Sequence, residues 1–216
     1  CNAHLLVVGD VCTKEVEKYT KQYFEHFPQM DKIPLEYQDF CQNSNIYIEK
    51  GKQTQNMLRL DWKLPKCNSN TLSMFEAIGN WLESEAGPLY HELAIQKGWS
   101  NEIICEVDKK RNALSFSISI YFSSRQSYEE IQKCVLSHLH KLNTIPLKKC
   151  EMQLQRNILS GLEHFDSRCE YLASLLEIDQ NLEKILQKVH HFKLQPEHFV
   201  ECMDIIKAGK PMVMVG

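Results

Sequence analysis

Glutamate and histidine stand side by side at four places, and such pairs can hold zinc and activate a water molecule for hydrolysis. The inverted motif H-x-x-E-H needs a further histidine three residues before the glutamate. That position is Gln22, Ser160 or Leu194 in front of the three Glu–His pairs, Glu25-His26, Glu163-His164 and Glu197-His198. The motif H-E-x-x-H fails as well, because Ile95 replaces the second histidine after His91-Glu92. The sequence therefore contains neither zinc motif, and we predict no metal ligands in it.

His138 and His140 are a second candidate for chemistry, as a pair of metal ligands on one predicted helix. Residues two apart on a helix point to different faces. His138 also continues an apolar stripe, formed by Ile131, Cys134, Val135, Leu139 and Leu142. A histidine packed in the core is therefore the favoured interpretation. A Cys/His nucleophile pair stays open, because nine cysteines and nine histidines allow many pairings and a reactive thiolate needs a particular environment.

Composition indicates a globular protein without a charged partner. The chain has 216 residues, 43% of them hydrophobic, and 25 basic residues nearly balance 28 acidic ones. This length can bury a sizeable core. A net charge of −3 gives no support for binding nucleic acid or an anionic membrane, so neither partner is predicted. No apolar run approaches the roughly 20 residues that cross a bilayer.

The nine cysteines are scattered, odd in number and without a C-x-x-C pair. Several lie at apolar positions of periodic segments, which is typical of buried, reduced thiols. No signal peptide is present at the start. We therefore predict an intracellular protein, cytoplasmic in the simplest case, with an organelle left open. The sequence begins at Cys1 and enters an apolar run within a few residues, so a fragment of a longer protein is expected.

The stretch from Glu85 to Val107 must position any site, because it contains the clearest signals for local structure. Gly87-Pro88 is expected to break the preceding element and start a short helix, with Leu89, Leu93 and Ile95 on its apolar face. Lys97-Gly98 is typical of a helix end. After Trp99, which is expected to cap the core, Ile103, Cys105 and Val107 alternate with Glu102, Ile104 and Glu106. This period predicts a strand with one buried face.

The run Gly-Pro-Leu-x-x-Glu-Leu followed by Lys-Gly-Trp-x-Asn resembles a segment of the insulin-degrading enzyme and pitrilysin family of zinc metallopeptidases. More narrowly, it resembles the second, non-catalytic domain of these enzymes. The identity is densest between Gly87 and Asn101, and the order of elements matches from end to end. The family's carbonyl-polarising arginine and tyrosine would fall on Ala94 and Asn101, which cannot do that work. This departure favours the second-domain assignment.

Periodicity predicts an α+β fold with one twisted, mostly antiparallel sheet covered by helices. The predicted strands are Ala3–Val11, Ile46–Glu49, Met57–Leu64, Ile103–Val107, Leu114–Phe122 and Pro211–Val215. Besides the helix after Pro88, the predicted helices are Lys14–Phe27, Thr71–Glu85, Tyr128–Leu142, Pro146–Phe165, Cys169–His190 with a break near Asp179, and Pro196–Ala208. Pro28–Asn45 is expected to be a linker and Asp108–Asn112 a tight turn. We predict a single domain over residues 1–216, with a possible division near residue 124.

The resemblance implies a binding site for peptide substrate. In the family, the strand after Lys-Gly-Trp-x-Asn lies along a chamber wall and pairs with the N-terminal part of the substrate as an added strand. Carried over, this role falls on Ile103, Ile104 and Cys105, with Gly87 in the neighbouring turn. The family has glycines where Cys105 and Glu106 stand here, and Glu106 is expected to favour a cationic peptide terminus. The alternative is an interior strand with both edges already paired.

The function implied by the resemblance is substrate binding and chamber formation in an insulinase-like zinc metalloendopeptidase. The chain alone is not expected to be an enzyme or to hold a cofactor, and zinc belongs to a separate catalytic domain. Its partners would be peptide substrate and the catalytic domain and C-terminal half of the same protease. The alternative function is a catalytically inactive homologue that acts as an interaction or scaffold subunit. An H-x-x-E-H motif upstream of Cys1 would distinguish the two.

Overall fold

The computed structural model describes residues 5–28, 46–48, 55–110, 113–123, 126–179 and 193–216. The strands are β1 (Ile46–Ile48), β2 (Asn56–Leu64), β3 (Ser100–Lys110), β4 (Ala113–Phe122) and β5 (Met212–Val215). The helices are α1 (Thr13–Phe24), α2 (Ser69–Glu83), α3 (Pro88–Tyr90), α4 (Tyr128–Lys141), α5 (Leu147–Glu163), α6 (Phe165–Asp179) and α7 (Pro196–Ala208). A π-helix, His91–Gln96, directly follows α3. Apart from the first strand, the predicted elements that fall on described residues are present, mostly with ends shifted by a few residues.

The strands of the described residues form one sheet in the order β1-β5-β2-β4-β3. The pairs β2–β4, β2–β5 and β3–β4 are antiparallel, and the β1–β5 pair is parallel. β3 and β4 form the predicted hairpin, in which Ile104 lies opposite Ser119. The α+β class with a mostly antiparallel sheet is therefore confirmed, and β3 lies at one edge.

The hydrophobic core lies between one face of the sheet and the helices. α2 packs on β3 from this side and also contacts α3, α5, α6 and α7. The ring of Phe116 lies 5.5 Å from that of Phe75 and 6.1 Å from that of Trp62, centroid to centroid. The apolar residues that alternate along β2 and β4 and recur at helical spacing on α2 are buried, namely Leu58, Leu60, Trp62, Phe116, Ile118, Ile120, Leu72, Phe75, Ile78 and Leu82. Alternation in strands and helical spacing thus identified the core correctly.

The N-terminal segment departs from the prediction. Residues 5–11 are not a strand, and their apolar side chains include Leu5, 61% exposed, and Val11, 52% exposed. α1 follows, and none of its residues is buried. The apolar run predicts a buried strand, but no described strand pairs with it, so apolar composition alone does not bury these residues.

The segment after Gly87 also differs in detail. Leu89 and Leu93 are buried as predicted, whereas Ile95 is 63% exposed. Ile95 lies two residues after Leu93, and residues that close in sequence do not share a helix face, so its assignment to the apolar face was wrong. Gly98 has φ +61°, the left-handed conformation expected at this helix end. Trp99 packs against the core, and its N–H bonds the Leu93 carbonyl at 2.8 Å.

Several predictions fall partly or wholly outside the described residues. They are the linker up to Asn45, the Arg111-Asn112 part of the predicted turn and the part of the long helix beyond Asp179. The Asp108–Lys110 part of that turn is wrong, because these residues continue β3 and pair with β4. The single domain and its possible division near residue 124 remain predictions. Among the described residues, no helix combines the length and apolarity that crossing a bilayer requires.

Candidate functional site

The predicted peptide-binding strand, β3, has one edge that no described strand covers. β4 pairs with its other edge over the whole strand, with a register shift between Ser100 and Glu102. An uncovered edge presents unpaired backbone N–H and C=O groups, which form a template for another extended chain. The alternative in which both edges are paired within the domain does not hold for the residues that the structure describes.

Backbone direction decides which residues of β3 face the open edge. The Cys105 N–H donates a hydrogen bond to Glu83 Oε2 at 2.9 Å, so it points away from β4. Backbone groups of successive residues in an antiparallel strand alternate between the two neighbouring positions. Ile103 and Val107 therefore present their backbone groups at the open edge together with Cys105. Ile104, opposite Ser119, turns its N–H and C=O towards β4.

Side chains on β3 alternate between the two faces of the sheet. Ile103 is 6% exposed in the core, and Cys105 lies against α2, where Gly79 leaves room for its Cβ. Burial raises the pKa of the Cys105 thiol well above its ordinary value, so this thiol is protonated and is a poor nucleophile. Ile104 is half-buried on the opposite face, next to Glu106. Arg59 Nη1 lies 3.4 Å from Glu106 Oε2, so this carboxylate already has a cationic partner.

Glu83 is the residue of this site that the sequence did not reveal. It is the last residue of α2, and its carboxylate accepts the bond from the outward Cys105 N–H. Its pKa is raised, mainly by burial and further by the charge of Glu106, while the bond from Cys105 acts in the opposite direction. The contact could be found only by knowing that α2 ends beside β3. Periodicity predicts the helix and the strand but not the distance between them.

Gly87 is needed for the local turn, whether or not it also takes part in peptide binding. It is buried directly after α2, and its N–H bonds the Ser84 carbonyl at 2.7 Å. A Cβ on Gly87 would lie 2.0 Å from the Trp81 carbonyl oxygen, far inside contact distance. The turn therefore needs glycine so that the chain can pass close to the end of α2. The other three predicted site residues are consecutive on β3, namely Ile103, Ile104 and Cys105. Gly87 instead packs against the end of α2, at Trp81 and Ser84.

A separate polar cluster lies where the π-helix meets α4. Glu92 bonds His138 Nε2 through Oε2 and accepts a hydrogen bond from Cys134 Sγ through Oε1 at 3.3 Å. Lys97 Nζ lies 2.5 Å from Glu92 Oε1 and 3.5 Å from Cys134 Sγ. The bond from Lys97 in the first place, and those from His138 and Cys134, lower the pKa of Glu92 to about 2, so this carboxylate is ionised. We call these four residues the Glu92 cluster.

The Glu92 cluster was only partly visible in the sequence. The histidine pair on α4 is not brought together, because His138 contacts Glu92 while His140 is exposed. The signal that could have found the cluster is the spacing of Cys134 and His138, which are four residues apart and share a helix face. Glu92 belongs to a distant segment, and only the packing of the π-helix against α4 brings it to the same place.

The described residues form an α+β domain whose sheet has β3 at one edge, and the sequence has no peptidase zinc motif. The family model described as the peptidase M16 inactive domain matches residues 2–159. This chain therefore belongs to that family, and the resemblance to the insulin-degrading enzyme and pitrilysin family is confirmed. No curated protein matches the chain.

Solved structures of similar fold include peptidases of the same family. A protease from Helicobacter pylori has a TM-score of 0.77 at 19% identity, over 96% of this chain and 53% of that one. The peptidase M16 inactive domain from Pseudomonas fluorescens has a TM-score of 0.68 at 14% identity, over 96% of this chain and 51% of that one. Pitrilysin has a TM-score of 0.60 at 15% identity, over 78% of this chain and 19% of that one. The chain thus spans about half the length of the first two.

Proposed function

We propose that this chain is the non-catalytic, substrate-binding and chamber-forming domain of an insulinase-like zinc metalloendopeptidase that degrades peptides. The open edge of β3 is the observation that carries the proposal. An extended peptide would pair with the backbone of Ile103, Cys105 and Val107, which gives affinity without demanding a particular sequence. Ile104 would contribute its side chain and not its backbone, since its N–H and C=O face β4. Gly87 would shape the adjoining turn.

The proposed partners follow from membership in an inactive-domain family and from length. Matched solved structures are about twice as long as this chain, which supports a protease in which this domain adjoins other domains. We infer that the catalytic zinc belongs to a separate catalytic domain and that the C-terminal half of the same protease completes the chamber. An intracellular, cytoplasmic location is part of the proposal and rests on the cysteine pattern.

Hydrogen exchange of individual backbone amides tests the binding mode, with insulin B chain as the extended peptide. Addition of a strand should slow exchange at Ile103 and Val107, whose N–H groups face the open edge. Ile104 and Glu106, already paired with β4, should change little, so they serve as internal controls. Protection that appears only outside β3, or equally at all four amides, would contradict strand addition at this edge.

Glu83 provides a matched pair of variants for the same proposal. A bound peptide must take the Cys105 N–H from the Glu83 carboxylate, so Glu83→Ala should tighten peptide binding by roughly three- to tenfold. Glu76→Ala is the control, because Glu76 lies on the same helix and bonds the side chain of Lys109 on β3 and not its backbone. Equal affinity changes in both variants, or weaker binding in Glu83→Ala, would count against pairing at Cys105.

A further inference from the structure

The geometry of the Glu92 cluster points to a second kind of site. We propose that Glu92, Cys134 and His138 bind a divalent transition-metal ion of the zinc type. Their three ligand atoms lie within 4.8 Å of one another. This inference departs from the sequence prediction of no metal ligands, and it does not depend on peptide binding at β3.

The donor atoms are those that zinc prefers. The Cys134 thiol releases its proton to solvent when it binds a metal ion. The resulting thiolate sulfur, with an imidazole nitrogen and a carboxylate oxygen, favours Zn²⁺ and its neighbours over Mg²⁺ or Ca²⁺, which need several oxygen ligands. Cys134 and His138 lie one turn apart on α4, so both point to the same side, as two ligands on one metal-binding helix do. Glu92 approaches from the π-helix, a rare conformation that is found often at functional sites. Three protein ligands leave a fourth position open.

The ligand atoms need only small movements to accept an ion. Ligands placed around zinc at ~2.0–2.3 Å are roughly 3.2–3.7 Å apart in a tetrahedron. Cys134 Sγ and Glu92 Oε1, at 3.3 Å, already have that separation. Glu92 Oε2 and His138 Nε2 are closer because they share a hydrogen bond, so they must move apart. The side chains of Glu92 and His138 are 30% and 21% exposed, which leaves room for this change.

Lys97 places a positive charge where the metal ion would bind. Its ammonium contacts both Glu92 Oε1 and Cys134 Sγ, and it lies 4.4 Å from the centre of the Trp99 ring. A metal ion must displace this ammonium from both atoms. The side chain is 32% exposed and flexible, so it can turn outward without backbone movement. Lys97 therefore competes with the metal ion for two ligand atoms and lowers the affinity of the site for that ion.

The surroundings also select for an ion that forms strong bonds. A cavity of about 380 Å³ opens onto the cluster, and Lys133 and Lys141 line it together with Glu130. The cavity gives an ion access from solvent. Its two additional lysines disfavour cations held by charge alone, such as Ca²⁺ and Mg²⁺. Zn²⁺ meets the same repulsion, but its strong bonds to thiolate and imidazole offset it, which again favours the zinc group.

Titration of the metal-free, reduced full chain with Co²⁺ and then Zn²⁺ tests the site. A cysteine ligand should give a thiolate-to-cobalt charge-transfer band, and Zn²⁺ should remove it at one equivalent per chain. Cys134→Ser and His138→Gln should each weaken Zn²⁺ binding at least about 100-fold, because loss of a direct ligand costs more than loss of its supporting partner. Lys97→Met should tighten binding several-fold by removing the competing ammonium.

Matched controls separate this site from adventitious binding to other cysteines and histidines. Cys169→Ser on α6 and His140→Gln on α4 should leave the affinity for Zn²⁺ unchanged. Zn²⁺ should raise the unfolding temperature of the unmodified chain and of Lys97→Met, but not of His138→Gln. The proposal is overturned if no stoichiometric Zn²⁺ binds, or if the control variants weaken binding as much as the ligand variants. It is also overturned if a ligand variant that remains folded keeps full affinity.

Discussion

The carboxylate of Glu83 connects the last turn of α2 to the open edge of β3 at Cys105. It satisfies an outward N–H that would otherwise be left without a partner, and this protects an edge strand from unwanted pairing. Burial raises the pKa of Glu83, and the bond from Cys105 lowers it by a smaller amount. Burial thus disfavours the ionised carboxylate even though this bond holds it in place. The Glu83 side chain thus covers the edge at Cys105, and a bound peptide could take its place there.

This raised pKa predicts a pH-dependent stability. A carboxyl whose folded-state pKa exceeds its unfolded value contributes stability that is present at low pH and is lost as pH rises through the folded pKa. Glu83→Gln keeps an acceptor for the Cys105 N–H but removes the charge. We expect the variant to gain stability relative to the unmodified chain as pH rises above the ordinary glutamate pKa of about 4.3, measured by urea unfolding at a series of pH values. A stability difference that is constant over this range would contradict the raised pKa.

Gly87 supports a second prediction at the same scale. Gly87→Ala should destabilise the chain by more than about 2 kcal/mol, because its Cβ would overlap the Trp81 carbonyl oxygen. Gly161→Ala in α5 is the matched control, since its Cβ meets no atom within 4 Å. That variant should be neutral or more stable by about 0.5–1 kcal/mol, as alanine is favoured over glycine in helices. Thermal unfolding of both variants gives the comparison, and similar losses in both would show that the turn tolerates a side chain.

At the scale of elements, the sequence predicts whether a segment is a helix or a strand better than it predicts what covers that segment. Alternation identified β2 and β4, and helical spacing identified α2 and α4, because burial of one face leaves its period in the sequence. The apolar run over residues 211–215 predicts β5 without such a period. The same alternation cannot tell whether a strand is central or at an edge, since both bury one face. The open edge of β3 and the exposed face of residues 5–11 therefore appear only in three dimensions.

Leu93 and Ile95, in the π-helix after α3, differ in burial although both are apolar. Leu93 is fully buried, so Leu93→Ala should cost roughly 2–5 kcal/mol through lost contacts and a cavity. Ile95 is 63% exposed, and Ile95→Ala should change stability by no more than about 0.5 kcal/mol. Urea unfolding at one pH measures both. Comparable losses would mean that Ile95 belongs to the apolar face, as its hydrophobicity alone had indicated.

At the scale of the whole molecule, both candidate sites join segments that are far apart in sequence. The Glu92 cluster combines residues of the π-helix and α4, and the edge site combines the end of α2 with β3. The run Gly-Pro-Leu through Lys-Gly-Trp-x-Asn indicates the family by its resemblance to a known segment, and the local turns that it encodes also position β3. The contacts of Glu83 and Glu92 depend on packing, so no local pattern in the sequence predicts them.

The last prediction concerns how stability is distributed over the chain. α1 buries none of its residues, and Tyr19, Tyr23 and Phe24 are 52%, 64% and 54% exposed. Removal of residues 1–27 should therefore change the unfolding temperature of the remainder by no more than about 2 °C, which corresponds to about 0.5–1 kcal/mol. It should also reduce binding of a hydrophobic dye, since exposed aromatic surface is lost. Leu60→Ala in the core is the reference for a real loss, expected to cost several degrees. A comparable fall in unfolding temperature on truncation would mean that the N-terminal segment packs against the domain in solution.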